Sequence, residues 1–176
     1  LNTVCRKLKI RALTYGQNTK LIERACLSQA VHRTDGMTFY AGGTPIILFD
    51  EKILPARAKF TVAHEMGHII LGHVKPGGVT TVNREPQPND EPEERAANQF
   101  AARLLAPACV LWGLDIHTTE EIMELCHISR QAALFRAQRM EELYRRNKFL
   151  ISPLEREVYR TFQPFIRGYQ RPPREG

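Results

Sequence analysis

Residues 64–68 read His-Glu-Met-Gly-His, the pattern H-E-x-x-H, and this pattern constrains the chain more than any other part of it. On a helix, the two histidines are four residues apart, so they project from one face and can bind the same zinc ion. Glu65 follows about 100° further round the helix, where its carboxylate can reach a water on the metal. A catalytic zinc usually has three protein ligands, so the pattern requires one more from elsewhere.

The sequence around the pattern has the periodicity of a helix. No proline occurs from residue 56 to residue 71, and Gly72 is a plausible C-terminal stop. One apolar stripe at helical spacing contains Phe60, Ala63, Gly67, Ile70 and Leu71. The alternative interpretation is a pair of surface histidines on an amphipathic helix.

The spacing after the pattern excludes a three-histidine site. The extended pattern H-E-x-x-H-x-x-G-x-x-H needs glycine at 71 and histidine at 74, where this chain has Leu71 and Val74. His73 is one residue out of place, and we expect it at the helix end, outside the ligand set. The remaining solution is a glutamate from a later helix, which gives two histidines and one carboxylate.

Residues 94–107 predict that later helix, since they carry an apolar stripe and end in proline. Glu94 and Asn98 share one face at i, i+4 beside the stripe. Glu94 is therefore the candidate third ligand, with Asn98 hydrogen-bonding a ligand histidine or fixing the carboxylate. Alternatively, Glu94 is a solvated charge at a helix N-terminus. That interpretation suits its acidic neighbours Asp90, Glu91 and Glu93.

Residues 60–73 resemble the zinc helix of the ImmA/IrrE metallopeptidases, and residues 94–107 resemble that family's second signature, E-x-x-A-N. The resemblance implies a zincin-like fold and one Zn²⁺ per chain on His64, His68 and Glu94, with another divalent ion such as Mn²⁺ as an alternative. It also implies Glu65 as the catalytic base and a helix-turn-helix repressor as the protein substrate. Many members have a second glutamate before Ala-Asn, where this chain has Ala96, and Glu94 is therefore the better-placed ligand.

The pattern of strands and helices predicts an α+β fold. We expect a short antiparallel sheet packed on the H-E-x-x-H helix and on the helix that carries Glu94, followed by C-terminal helices. Asp35-Gly36 is a turn signal, and a loop is expected from Lys75 to Pro92. The other predicted elements are a strand Ile10–Tyr15, a helix Thr19–His32, and a hairpin of strands Met37–Ala41 and Ile46–Asp50.

An exposed strand edge beside such a site can bind a peptide as an added strand. Tyr40 and the Ile46–Phe49 strand are candidates for that edge, although core packing explains their apolar side chains equally well.

The length of 176 residues suits one core with a helical appendage. We expect a metallopeptidase core at 1–107, a helical extension at 108–148, and a C-terminal helix with a flexible tail at 149–176. No apolar run approaches the 18 residues that a membrane span needs, and no secretory signal is visible. The four scattered cysteines suggest thiols rather than disulfides, so we expect a cytoplasmic protein.

The C-terminal third supports a rival function. Thr118 and Glu121 match a capping box, and Ser129 is positioned to cap a second, arginine-rich helix that resembles the second helix of a helix-turn-helix. The net charge of +6 is also uneven, with +6 on residues 1–33, −6 on 34–129 and +6 on 130–176. Solvated helix faces explain the basic ends more simply than nucleic acid does. The alternatives to a peptidase are a DNA-binding regulator with a zincin fold and a scaffold that sequesters a repressor without cutting it.

Overall fold

The computed structural model describes residues 1–75, 79–83 and 91–169. The chain forms two compact units, Leu1–Leu105 and Ala106–Gly176. The first unit contains α1 (Asn2–Lys7), β1 (Arg11–Thr14), α2 (Thr19–Arg24), a 3₁₀ turn (Ala30–His32), β2 (Thr34–Ala41), β3 (Thr44–Phe49), α3 (Pro55–Ile70), β4 (Val79–Asn83) and α4 (Pro92–Leu105). The second contains α5 (Ala108–Gly113), α6 (Thr119–Cys126), α7 (Arg130–Arg145) and α8 (Pro153–Gly168).

In the described part of the chain, four strands form one sheet in the order β1-β3-β2-β4. The predicted hairpin is confirmed, because β2 and β3 pair antiparallel around Gly42-Gly43, with Tyr40 opposite Pro45. The fold is α+β as expected, and β2 pairs antiparallel with β4 as well. The pairing differs from the expectation at one place, where β1 runs parallel to β3. A parallel pair needs a long connection, and the segment through α2 and β2 supplies it.

A hydrophobic cluster covers each face of the sheet, and α3 packs on one of the two faces. In β3, Ile46 and Leu48 face a cluster that includes Ile22, whereas Ile47 faces a second cluster with Val62 and Met66 of α3. This division follows from the alternation of side chains along a strand. Both faces of β3 are therefore buried.

Neither candidate substrate-binding strand lies at an edge of the sheet. Tyr40 belongs to β2, and Ile46–Phe49 belongs to β3, and each of these strands has a neighbour on both sides. Residues 46–49 are paired with both β1 and β2, so the predicted addition of a peptide strand there is wrong. Tyr40 pairs with Pro45 of β3, but the register between β2 and β4 ends at Phe39 and Val79, so a peptide strand beside Tyr40 stays a prediction. Among the described strands, the edges are β1 and β4.

The helix that carries H-E-x-x-H begins and ends close to its predicted bounds. Pro55 occupies the first turn of α3, where a missing N–H costs nothing. Gly72 follows the helix with φ +75°, the left-handed conformation of a C-terminal stop. Every residue from Thr61 to His68 is buried, so α3 is a core helix and the surface alternative for its histidines is wrong.

Two local predictions are wrong. Asp35 and Gly36 lie within β2, where the register shifts, and do not form a turn. A Cβ at Gly36 would lie 2.3 Å from Thr61 Cγ2, so close packing against α3 explains the glycine. The helix predicted from Thr19 to His32 ends at Arg24, and Cys26 then adopts a left-handed conformation with φ 57°.

Parts of two predicted segments lie outside the described residues, namely 76–78 and 84–90 of the loop and 170–176 of the tail. Within the loop, residues 79–83 form β4 instead. None of the described helices combines the length and the apolar character needed to cross a bilayer.

In the second unit, the capping box of Thr118 with Glu121 is present at α6, and the Ser129 side chain accepts a hydrogen bond at the start of α7, as predicted. Helices α6 and α7 pack together, as do α5 and α8. Arg136 of α7 is buried, and its Nε donates to the Ala106 carbonyl over 2.6 Å. The division into three segments at 107 and 148 stays a prediction.

Candidate metal centre

His64 and His68 lie one helical turn apart on α3 and point to the same place. Both side chains are almost fully buried, and their Nε2 atoms are 2.9 Å apart. The spacing of four residues on a helix brings the rings together. Burial of the helix then removes them from solvent.

Glu94 reaches the two histidines from the first turn of α4. Its Oε2 lies 3.2 Å from His64 Nε2, and its Oε1 lies 3.3 Å from His68 Nε2. The Glu94 side chain is 37% exposed, so the carboxylate closes a buried pair of imidazoles on the side nearer solvent. Among the described residues, His64, His68 and Glu94 are the one group that could hold a metal ion, with donor atoms within 4.8 Å of one another.

The donor set fits a small divalent cation such as zinc. Two donors on one zinc at tetrahedral angles lie roughly 3.4 Å apart, and the three observed separations are 2.9–3.3 Å. Burial is the main cause that lowers the pKa of His68 from 6.5 to about 4, with smaller contributions from His64 and His73. His68 is therefore neutral at pH 7, and a neutral imidazole has the lone pair that a metal needs.

The second nitrogen of each imidazole also has a partner. His64 Nδ1 lies 2.9 Å from Asn98 Oδ1. Because an amide oxygen only accepts hydrogen bonds, His64 Nδ1 carries the ring proton, and the lone pair of Nε2 faces the site. His68 Nδ1 lies 3.1 Å from His73 Nδ1. When His68 Nδ1 donates its proton to His73 Nδ1, His68 Nε2 keeps the lone pair that a metal needs.

Loss of these supporting contacts should weaken metal binding. We expect Asn98→Ala and His73→Ala each to lower zinc affinity by about 10–100-fold, because the ligand ring would lose the partner that fixes its orientation and tautomer. Competition with a chromophoric chelator at pH 7 measures the change. Gln99→Ala, a change at an exposed position next to Asn98 on α4, is the matched control. Unchanged affinity in both variants would show that the two contacts do not support the ligands.

Glu65 faces the sheet, on a different side of α3 from the two histidines. It is fully buried, and its Oε2 accepts a hydrogen bond of 2.5 Å from Thr38 Oγ1 of β2. A buried carboxylate is costly unless it is hydrogen-bonded. The side chain thus lies between the sheet and the helix that carries the two histidines.

Gly67 allows α4 to come close enough to supply Glu94. A Cβ at position 67 would lie 3.1 Å from Ala97 Cα and 3.2 Å from Ala97 O. Both separations are shorter than normal carbon packing distances. The pair Gly67 and Ala97 therefore sets the spacing of the two helices, and that spacing places the carboxylate beside the imidazoles.

The family of the IrrE N-terminal-like domain, a peptidase family (M78), matches residues 20–138. That range covers more than half of the chain and includes both α3 and α4. The chain belongs to this family. The resemblance seen in the sequence is thereby confirmed, and membership of the IrrE N-terminal-like family supports a metallopeptidase type of function. No curated protein matches the chain.

The structure of this family member brings together His64, His68, Glu94 and Asn98, and places Glu65 one residue further along α3. Sequence reasoning did not identify two contacts. His73 was expected only at the helix end, and its place five residues after His68, just past the stop at Gly72, was the available signal. The contact of Thr38 with Glu65 could not be inferred from the strand pattern, because the two residues are 27 positions apart in the sequence.

Proposed function

We propose that this chain is a zinc-dependent endopeptidase. The observation that carries the proposal is the convergence of two buried imidazoles and one carboxylate, on a helix whose next residue after His64 is the buried Glu65. His64, His68 and Glu94 would hold the ion. When bound, zinc acidifies water and polarises a carbonyl oxygen, which makes peptide hydrolysis feasible at neutral pH. Mn²⁺ is the alternative ion, and metal analysis of the purified protein distinguishes the two.

In the proposed reaction, Glu65 is the general base. Its carboxylate takes a proton from the attacking water and later gives it to the leaving amine. Glu65 follows His64 in the buried part of α3, so that helix sets its backbone position relative to the two histidines. A scaffold that only bound zinc would not need a carboxylate at this position, which favours an enzyme over a sequestering protein.

The proposed substrate is a helix-turn-helix transcriptional repressor of a mobile element or stress regulon, in the cytoplasm. The resemblance to ImmA/IrrE metallopeptidases supports this part of the proposal. To test it, the zinc-loaded protein is incubated with candidate repressors, and mass spectrometry maps any fragments. Glu65→Gln is the control. Release of the repressor from its operator without fragments, equally by wild type and variant, would favour the scaffold.

The second candidate function is DNA binding through the arginine-rich helix α7. Arg136 is buried, Arg130 pairs with Glu120, and Arg139 and Arg146 both pair with Glu142. Arg136 is therefore withheld from phosphates, whereas exposed ion pairs are weak and leave the other arginines accessible. DNA binding by α7 stays an alternative, which salt-dependent binding to duplex DNA tests.

A further inference from the structure

Thr38 lies on the face of β2 that packs on α3. Side chains alternate along a strand, and Met37 and Phe39 belong to the cluster on the opposite face of the sheet. Thr38 therefore points toward α3, and it is fully buried. Its register partner in β3 is Ile47, which packs with Val62 and Met66 of α3. On its β3 side Thr38 therefore neighbours apolar side chains, and its register partner in β4 is Thr80.

The hydroxyl makes one short contact in that setting. Thr38 Oγ1 donates to Glu65 Oε2 over 2.5 Å, and neither residue is exposed. Hydrogen bonds to an ionised carboxylate are shorter and stronger than neutral ones. Valine has nearly the shape of threonine, so packing alone would not require the hydroxyl. The contact holds Glu65 Oε2 against the strand, and this sets the direction in which Oε1 points.

Gly36 of β2 lies near the aliphatic part of the Glu65 side chain. Gly36 lies two residues before Thr38 and therefore on the same face of β2. A Cβ at Gly36 would meet Thr61 Cγ2 at 2.3 Å and Glu65 Cγ at 3.7 Å. The strand thus passes near the Glu65 stem at Gly36 and binds the carboxylate at Thr38.

We propose that Thr38 is a positioning residue for hydrolysis, because its hydroxyl holds the Glu65 carboxylate in the one orientation that proton transfer requires. The inference rests on the proposed function. The structural contact is separate from it, since the coupling between Thr38 and Glu65 exists whether or not the chain hydrolyses peptides.

The kinetic test compares Thr38→Val with Thr38→Ser in the zinc-loaded protein. A misplaced catalytic group costs up to about 100-fold in rate, so we expect Thr38→Val to lower kcat by about 10–100-fold with KM unchanged. Thr38→Ser keeps the hydroxyl and should restore most of kcat. Zinc content should stay at the wild-type level in both variants, since neither touches a ligand.

Thr34→Val is the matched control. Thr34 is a buried threonine of the same strand, but its hydroxyl donates to the Ala30 carbonyl, away from the site. This variant should lose thermal stability and keep its kcat. If Thr38→Val at equal folded fraction retains wild-type kcat, or if Thr38→Ser does not recover activity, Thr38 has only a structural role and the inference is wrong.

A second measurement on the metal-free protein needs no activity. Thermal unfolding of Thr38→Val, Glu65→Leu and the double variant forms a double-mutant cycle. We expect Thr38→Val to lower Tm strongly in the wild-type background and only weakly in the Glu65→Leu background. Independent effects would overturn the contact itself. Strong coupling in a wild type that cleaves no peptide or repressor would instead overturn the proposed function, and with it the positioning role.

Discussion

Glu65→Gln is expected to slow hydrolysis by orders of magnitude while leaving the metal in place. Glutamine fills the same buried volume and its amide oxygen can still accept from Thr38, but an amide cannot take a proton from water. General acid–base catalysis contributes about 10²–10⁴-fold, so we expect kcat to fall by that factor. Peptide cleavage followed by chromatography measures the rate, and elemental analysis measures zinc per chain.

Glu93→Gln is the matched control for that variant. It removes the same charge from an exposed position in the first turn of α4. Rate and zinc content should both stay at wild-type values. Cleavage by Glu65→Gln at the wild-type rate would mean that another group takes the proton. A loss of zinc from Glu65→Gln would mean that Glu65 serves the metal rather than the water.

Glu94→Ala is expected to have the opposite signature, with the metal itself lost. It removes one of the three donors. Zinc affinity should therefore fall further than in Asn98→Ala or His73→Ala, where the expected loss is about 10–100-fold. A bound ion also stabilises the folded state. The rise in Tm on adding zinc to the wild type should therefore disappear in Glu94→Ala.

Glu93→Ala tests whether the effect belongs to position 94. It makes the same change one residue away, on a side chain that is exposed and outside the donor set. Chelator competition should give wild-type affinity for this control. Wild-type zinc binding by Glu94→Ala would refute the proposed ligand set of two histidines and one carboxylate.

The two helices of the site were predictable because their signals are local. The stripe along residues 60–71 and the turn-spaced pair Glu94 and Asn98 each specify a helix and a face within one or two turns. A local pattern also indicates which side chains share that face. The sequence could suggest Glu94 as a ligand but could not show that its carboxylate points toward both histidines. That orientation depends on how the two helices pack.

The features that sequence reasoning missed depend on contacts between distant segments. Gly36 has the local signature of a turn, but its backbone approaches Thr61 of α3 within a strand. The parallel pairing of β1 with β3 leaves no trace in either strand, and β4 is a short edge strand between segments rich in proline and glycine. Strand order and close approaches are properties of the assembled sheet, so a single sequence does not display them.

The close approach of α4 to Gly67 has a consequence for the choice of ion. The close packing of the two backbones keeps the turn that carries Glu94 near the imidazoles. In the proposed site this would favour a small ion, because Ca²⁺ needs ligand distances of about 2.3–2.6 Å and more oxygen donors. A residue that has no side chain and does not touch the ion would thus contribute to the selectivity of the proposed site.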